Sequence, residues 1–249
     1  MIGLVHDHRR NRAVGLALLA LLIVTIIIGV TVTRSRAGMG LLFVAALSSL
    51  LLAWRHDRDR SSGRILHVAI GANLVALLLA FQFGFVGFVQ RFEDIGFEDL
   101  RWPAALVTSR AAIANLPFGS GFGTFTPVYE QFSPRALVAD FYVNHAHNDW
   151  LELWLTGGIP AIVLLVAFLA WLVAAIVRVW KSGEPDAPTL DRALAQAASI
   201  VIVLLLLHSM VDFPLRIAAV TVLFAIACAY LIPGRKIAHR DLNGSVSHM

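Results

Sequence analysis

Cysteine, charge and repetition are all scarce in this chain, and each scarcity closes off a class of function. Cysteine occurs once, as Cys228 within an apolar run; a lone thiol supports neither a disulfide nor a thiolate metal site, and a small buried hydrophobe is the simplest role for it. Asp, Glu, Lys and Arg together make 14% of the 249 residues, against about 25% in an ordinary soluble domain. No internal repeat, low-complexity segment or separate soluble domain is present, so solenoids and linker-tethered modules are excluded.

What is abundant is apolar surface. Hydrophobic residues make 58% of the chain, and the mean hydropathy is +0.76. The expected fold is therefore all-α: a polytopic membrane protein forming a single membrane domain over residues 1–249. A pI near 9.8 would point to nucleic acid in a soluble protein. Here the arginines gather at helix ends, which ties them to topology instead, and no nucleic-acid partner is expected.

Apolar runs place six spans, at about residues 13–31, 38–54, 65–89, 159–180, 193–211 and 214–232. The first, Ala13 to Thr31, has no charge in 19 residues, enough to cross a hydrocarbon core of about 30 Å at 1.5 Å per residue. It is too long for a signal peptide and has no small-residue cleavage site, so it reads as an anchor. Positively charged loops stay in the cytoplasm. Threading six spans with the N-terminus inside puts 13 Lys and Arg residues on the cytoplasmic face and 7 on the other, and leaves both termini cytoplasmic.

The one large loop, about residues 90–158, then lies outside the cytoplasm, and at that length it is expected to be a functional cap. Trp102, Leu106, Ile113 and Leu116 recur at roughly helical spacing, with Pro103 suited to a first helical turn. These residues predict an amphipathic helix near the membrane surface, stopped by Pro117. The following GSGFGTF (Gly119 to Phe125) lacks the βαβ context of a phosphate cradle; a turn that lets backbone pass close to its neighbours is the better reading.

Polar chemistry concentrates in NHAHNDWLELWLTGGIP, Asn144 to Pro160. His145 and His147 share one side of an extended segment. If a helix starts near Asn148, the histidines sit at its mouth, Asn148 and Glu152 lie one turn apart on one face, and Trp150 and Trp154 on another suit an interfacial belt. Capping and solvation of a helix end compete with catalysis as explanations. A His-x-His pair beside Asp149 resembles part of a metal site, but no further ligand is evident, so no metal or other cofactor is expected.

Arginines on the outer face carry more weight. Arg34 and Arg36 follow the first span where positive charge is disfavoured, and Arg101 opens a helix whose dipole repels a cation. A bound anion, held by guanidinium forks matched to phosphate oxygens, would offset the Arg101 penalty; surface pairing of Arg101 with Glu98 or Asp99 and snorkelling of Arg34 and Arg36 are the competing explanations. Asp212 and Arg216, around Phe213-Pro214 in the last hairpin, read as a local ion pair at the membrane surface, with His208 a turn further in. His67 and Gln82 read as interhelical hydrogen-bond glue.

TRSRAG, LRWPAALVTSRAAIANLPFGSGFGTF, VNHAHNDWLELWLTGGIP and the terminal HSMVDFPLR together resemble the O-antigen ligase and polymerase superfamily of bacterial membrane glycosyltransferases. The likeness runs through essentially the whole chain and corresponds to the C-terminal half of such proteins, which usually have about twice as many helices. It implies a multi-pass enzyme of the bacterial inner membrane. On the periplasmic face it would move a glycan from a polyprenyl diphosphate carrier to a hydroxyl of lipid A core, polysaccharide or protein. Arg36 resembles the family's helix-end arginine, Arg101 the arginine opening the large-loop helix, and His147 or His145 the essential histidine. Arg34, Arg110, Asn148, Asp149 and Glu152 are the candidate substrate-binding residues.

The expected reaction is metal-independent: Arg36 and Arg101 bind the diphosphate, and a histidine handles the acceptor's proton. The expected partners are the lipid-linked glycan donor, its acceptor and membrane lipids. The alternatives are a transporter or flippase for the lipid-linked glycan, or a partial chain drawing helices from a further membrane subunit. A transporter would place ionisable residues at the bilayer midplane, whereas here they crowd one face.

Overall fold

The structure, a computed structural model, describes residues 25, 29, 36–60, 67, 69–75, 78, 101–134, 143–181 and 189–233. Among these all the regular structure is helical: α1 (Arg36–Arg60), α2 (Arg101–Ala114), α3 (Phe125–Phe132), α4 (Asp149–Lys181), α5 (Thr189–His208), a 3-10 turn at Pro214–Arg216 and α6 (Ala218–Tyr230). Most of the expected spans at 13–31 and 65–89, with Gln82, lies outside the described residues; those described within them are helical. Asn73, in the second of these spans, makes an interhelical hydrogen bond, its Nδ2 donating to Ser49 Oγ at 2.8 Å.

Among the described residues two helices, Asp149–Lys181 and Leu190–His208, are long and apolar enough to cross a membrane, while Gly40–Arg55 and Ala218–Tyr230 are apolar but shorter. α4 is broken at Gly158, and its unbroken part from Ile159 to Lys181 is about 35 Å long, enough to cross a hydrocarbon core. The 13 residues of α6 reach only about 20 Å. The last hairpin accordingly departs from the expected spans 193–211 and 214–232. Residues 209–217 form its turn, because Pro214 has no N–H to give a helix, Asp212 Oδ1 accepts the Phe213 N–H at 3.0 Å, and Ile217 is extended.

Two apolar cores hold the helices. One joins Leu172 and Ala175 of α4, Ala198 and Ile202 of α5, and Ala227 of α6 with Leu231. Small residues at helix contacts let backbones approach closely, as in membrane bundles. Outward faces carry large apolar side chains, with Leu164 71% and Leu223 59% exposed; this is the surface chemistry of a lipid-facing helix and not of one in water. The second core joins Ala104, Val107, Ala111 and Ala112 of α2 to Phe125 and Tyr129 of α3, Ala146 and Leu155.

The two ends of α4 differ in chemistry. At its Lys181 end, Arg55 Nη2 donates to Trp180 O at 2.9 Å, and Arg178 Nη2 donates to Leu231 O at 2.7 Å. Guanidinium groups thus satisfy carbonyls that a helix C-terminus leaves open, on the favourable side of the dipole. The Asp149 end packs against the turn after α5 and carries the polar cluster described next.

Candidate functional site

The cluster is anchored where α4 breaks. Gly158 has φ 57° and ψ −150°, and Pro160 follows inside the same helix. Pro160 has no N–H, so the Thr156 carbonyl loses its normal donor. The glycine-rich loop repairs this: Gly121 N–H donates to Thr156 O, Ser120 N–H donates to Leu155 O, and Ile159 N–H turns away to Pro117 O, at 2.8–2.9 Å. Helix and loop exchange backbone hydrogen bonds, which fixes α2 and its loop against the first turns of α4. The expected close backbone approach is what the loop provides.

On its buried side α2 presents Ala104, Val107, Thr108, Ala111 and Ala112. The residues that predicted its amphipathic face point the other way: Trp102 is 72% exposed and Ile113 60%, with Leu106 and Leu116 also exposed. Small side chains therefore face protein and large apolar ones face outward, as a helix in a lipid interface requires.

Asn148 starts α4. Its Oδ1 accepts the N–H groups of Trp150 and Leu151 at 3.1 and 3.0 Å, and its Nδ2 donates to Met210 O at 2.8 Å, so one side chain caps the helix and ties it to the hairpin turn. Trp150 and Trp154 pack inward: the Trp150 indole N–H donates to Leu206 O at 3.3 Å, and Trp154 lies against the core under α2.

Asp149 and Glu152 are one helical turn apart, and one guanidinium serves both. Arg216 Nε is 3.4 Å from Asp149 Oδ1, and its Nη1 is 3.1 Å from Glu152 Oε1. Asp149 Oδ2 also accepts the Ser209 hydroxyl at 2.9 Å and the Leu215 N–H at 3.1 Å. Glu152, 2% exposed, accepts the Ala146 N–H on Oε2 at 2.9 Å and stands 3.1 Å from His145 Nδ1. A buried carboxylate is tolerable only when paired and hydrogen-bonded, and Glu152 is both.

Both histidines flank the Phe213 ring, His145 at 4.7 Å and His147 at 5.0 Å between centroids. His145 Nδ1 faces Glu152 Oε1; in the tautomer that carries its proton on Nδ1, Nε2 is left as the acceptor. His147 has φ +50°, a left-handed conformation that only a well-determined surrounding holds. Its Nδ1 is 3.4 Å from Asp212 Oδ1, within ion-pair range but not aligned as a hydrogen bond. His208 Nε2 is 3.8 Å from the other oxygen of Asp212.

His145, His147, Asn148, Asp149 and Glu152 are thus brought together. Arg36 and Arg101 are the first residues of α1 and α2; where their side chains point, and all of Arg34, lie outside the described residues. Arg101 is three positions from Ala104, which belongs to the same core as Ala146. Arg110 is exposed on α2, with no ion pair among the described residues. The expected Asp212–Arg216 pair is replaced, because the twin carboxylates of α4 offer Arg216 a better anion and leave Asp212 to the histidines. Sequence reasoning gave Arg216 the wrong partner and no part to Phe213. Asp149 and Glu152, two acids one turn apart in an apolar chain, were the signal that a cation had to arrive from elsewhere. Among the described residues no group of three His, Cys, Asp or Glu side chains is arranged to hold a metal ion.

Residues 18–166 match the family described as O-Antigen ligase. No curated protein and no solved structure matches the chain.

Proposed function

The chain belongs to the O-antigen ligase family, and from that premise we propose that it transfers a glycan from a polyprenyl diphosphate carrier to a hydroxyl acceptor at the periplasmic face of the bacterial inner membrane. The observation that carries this reading is the pair of histidines, each beside its own carboxylate, at the polar end of an otherwise apolar helix. Membership of the family and the apolar helices make it a membrane protein of ligase or polymerase type. The donor, the acceptor and the side of the membrane are our reading.

In the reaction the acceptor O–H attacks the anomeric carbon, the bond from that carbon to the diphosphate oxygen breaks, and the lipid diphosphate leaves with both electrons. The acceptor's proton passes to a histidine ring nitrogen. His147 is the first choice, with Asp212 beside its Nδ1 to favour the imidazolium that forms; His145, set by Glu152, is the second. Arg36 and Arg101 hold the diphosphate and stabilise the charge it gains on leaving. Asp149 and Glu152 are already committed to Arg216 and to N–H and O–H donors, so guanidinium groups are the cations that this reading assigns to the diphosphate, and transfer is metal-independent. Arg34 and Arg110 extend the anion-binding side, and Asn148 shapes the mouth of the site.

The test is glycan transfer by the purified chain from a polyprenyl diphosphate donor, with and without EDTA, alongside Arg101→Ala and His147→Ala. Transfer that survives EDTA and is lost in both variants is expected. Near-normal transfer by both variants would overturn the site, chelator-sensitive transfer would overturn the metal-independent mechanism, and binding without transfer would favour a carrier of the lipid-linked glycan.

A further inference from the structure

The proposed chemistry draws on His147, or on His145 as the second choice, but assigns nothing to Arg216, which comes from a different part of the chain and ion-pairs with both acids of α4. The segment it serves is short and unusual. From His145 to Asn148 there is no regular structure, and His147 sits in the left-handed region. That conformation costs an L residue about 1–3 kcal/mol, which fixed flanks help to offset. On one flank, Glu152 takes the Ala146 N–H and stands against His145 Nδ1. On the other, the Asp149 N–H donates to Ser209 O at 2.9 Å, while the Asp149 carboxylate takes the Ser209 hydroxyl and the Leu215 N–H. Both flanks therefore end on the two carboxylates, and both carboxylates end on Arg216.

We infer that Arg216 is a positioning residue: by clamping Asp149 and Glu152 together it holds the His145–Asn148 segment, and with it the left-handed His147, in the conformation the site uses. Without the guanidinium, two like charges one turn apart would face each other with no cation between them. Glu152 is buried and cannot turn to water, so its side chain would rotate away from Asp149 or the first turn of α4 would shift. Either change weakens its hold on Ala146 and His145. Lysine is a poor substitute, because a single ammonium lacks the fork that reaches two carboxylates from fixed positions. Arg216 acts here through other residues and touches neither donor nor acceptor.

As far as it concerns transfer, this inference rests on the function proposed above, so the experiment has one readout that needs no substrate. Arg216→Gln, Arg216→Lys and Glu152→Gln/Arg216→Gln are compared with the natural sequence in detergent. Modification of His145 and His147 by diethyl pyrocarbonate is followed by peptide mass spectrometry, and kcat and KM are measured with the lipid-linked donor. In Arg216→Gln, modification of His145 is expected to quicken several-fold, and kcat to fall about ten- to a hundredfold, the cost of a misplaced catalytic group, with KM for the donor changed less than about twofold. Arg216→Lys should recover part of the loss, and the double variant should be no worse than Arg216→Gln, as for residues acting in one unit. Natural modification rates with natural kcat in Arg216→Gln overturn the inference, as does a loss confined to KM, which would make Arg216 a donor-binding group. If Arg216→Gln does not fold, Arg216→Lys decides: natural values of both readouts in the folded protein overturn it. A natural chain that transfers nothing, yet protects His145 in an Arg216-dependent way, refutes the transfer reading and leaves the clamp standing.

Discussion

Gly119 and Gly158 occupy each other's side-chain space. A Cβ on Gly119 would stand 2.6 Å from the Gly158 nitrogen, and one on Gly158 would stand 2.5 Å from the Gly119 nitrogen while striking the Pro117 carbonyl. Both residues have positive φ, so an L side chain at either position is strained on backbone grounds as well. Gly158→Ala is expected to cost at least about 3 kcal/mol, combining backbone strain with overpacking against main-chain atoms that cannot rotate away. Gly123 has positive φ but open space around it, so Gly123→Ala should cost only about 1 kcal/mol. Thermal unfolding in detergent separates the two; equal losses would show that the close approach is not what fixes the loop.

Asn148 does two jobs with one amide. Asn148→Ala should remove about 1 kcal/mol for the helix cap and somewhat more for the Met210 carbonyl left without its donor. Asn148→Asp keeps the cap, and its charge suits a helix N-terminus, but it cannot donate to Met210. Its stability is expected to fall between the natural chain and the alanine variant. An aspartate variant as unstable as the alanine one would mean that the link to the hairpin, and not the cap, carries the stability.

What the sequence revealed follows from the range of the interactions involved. The helix start at Asn148, the place of both histidines at its mouth and the tight glycine loop are local, set by caps, turns and backbone freedom within a few residues, and they could be read directly. The all-helical class followed from composition. The ends of the last hairpin could not be read, because Pro214 and Asp212 compete with an unbroken apolar pattern and hydropathy does not register the competition. Arg216 was also hidden: its partners lie 64 and 67 positions earlier in the chain, as the numbers of Glu152 and Asp149 show, and its nearer neighbour Asp212 was the obvious but wrong partner. Pairings across that distance depend on how α4, α5 and the hairpin turn pack, which no local pattern encodes.

Asp212 stands between two histidines, 3.4 Å from His147 and 3.8 Å from His208. If its part is to orient His147 and favour its protonated form, Asp212→Asn should lower kcat about ten- to a hundredfold, a fraction of the 10²–10⁴ that a proton-handling group supplies. Binding of the donor should change little. His208→Ala removes the other partner and should leave transfer near normal. Steady-state kinetics of the two variants decide the point; an intact kcat in Asp212→Asn would remove Asp212 from the mechanism and leave the Glu152-set His145 as the better base.

The buried face of α2 gives the last prediction, because it links packing to the site without touching any polar residue. Ala111 and Ala112 are wholly buried in the core that also holds Leu155, while Ile113 next to them is 60% exposed. A leucine at position 111 has nowhere to go, so Ala111→Leu should cost about 1–3 kcal/mol by forcing α2 away from α4. Arg101 is ten residues from Ala111 on the same helix, about 15 Å along its axis, so a tilt of α2 moves that arginine relative to the histidines. Transfer should therefore fall in Ala111→Leu by more than its stability loss explains at a temperature where it remains folded. Ile113→Ala, which removes a larger apolar group from the outward face, should leave both stability and transfer close to natural in detergent. If Ala111→Leu were folded and fully active, α2 would be a cover over the site whose exact placement the chemistry does not need, and Arg101 would lose its assigned part in holding the diphosphate.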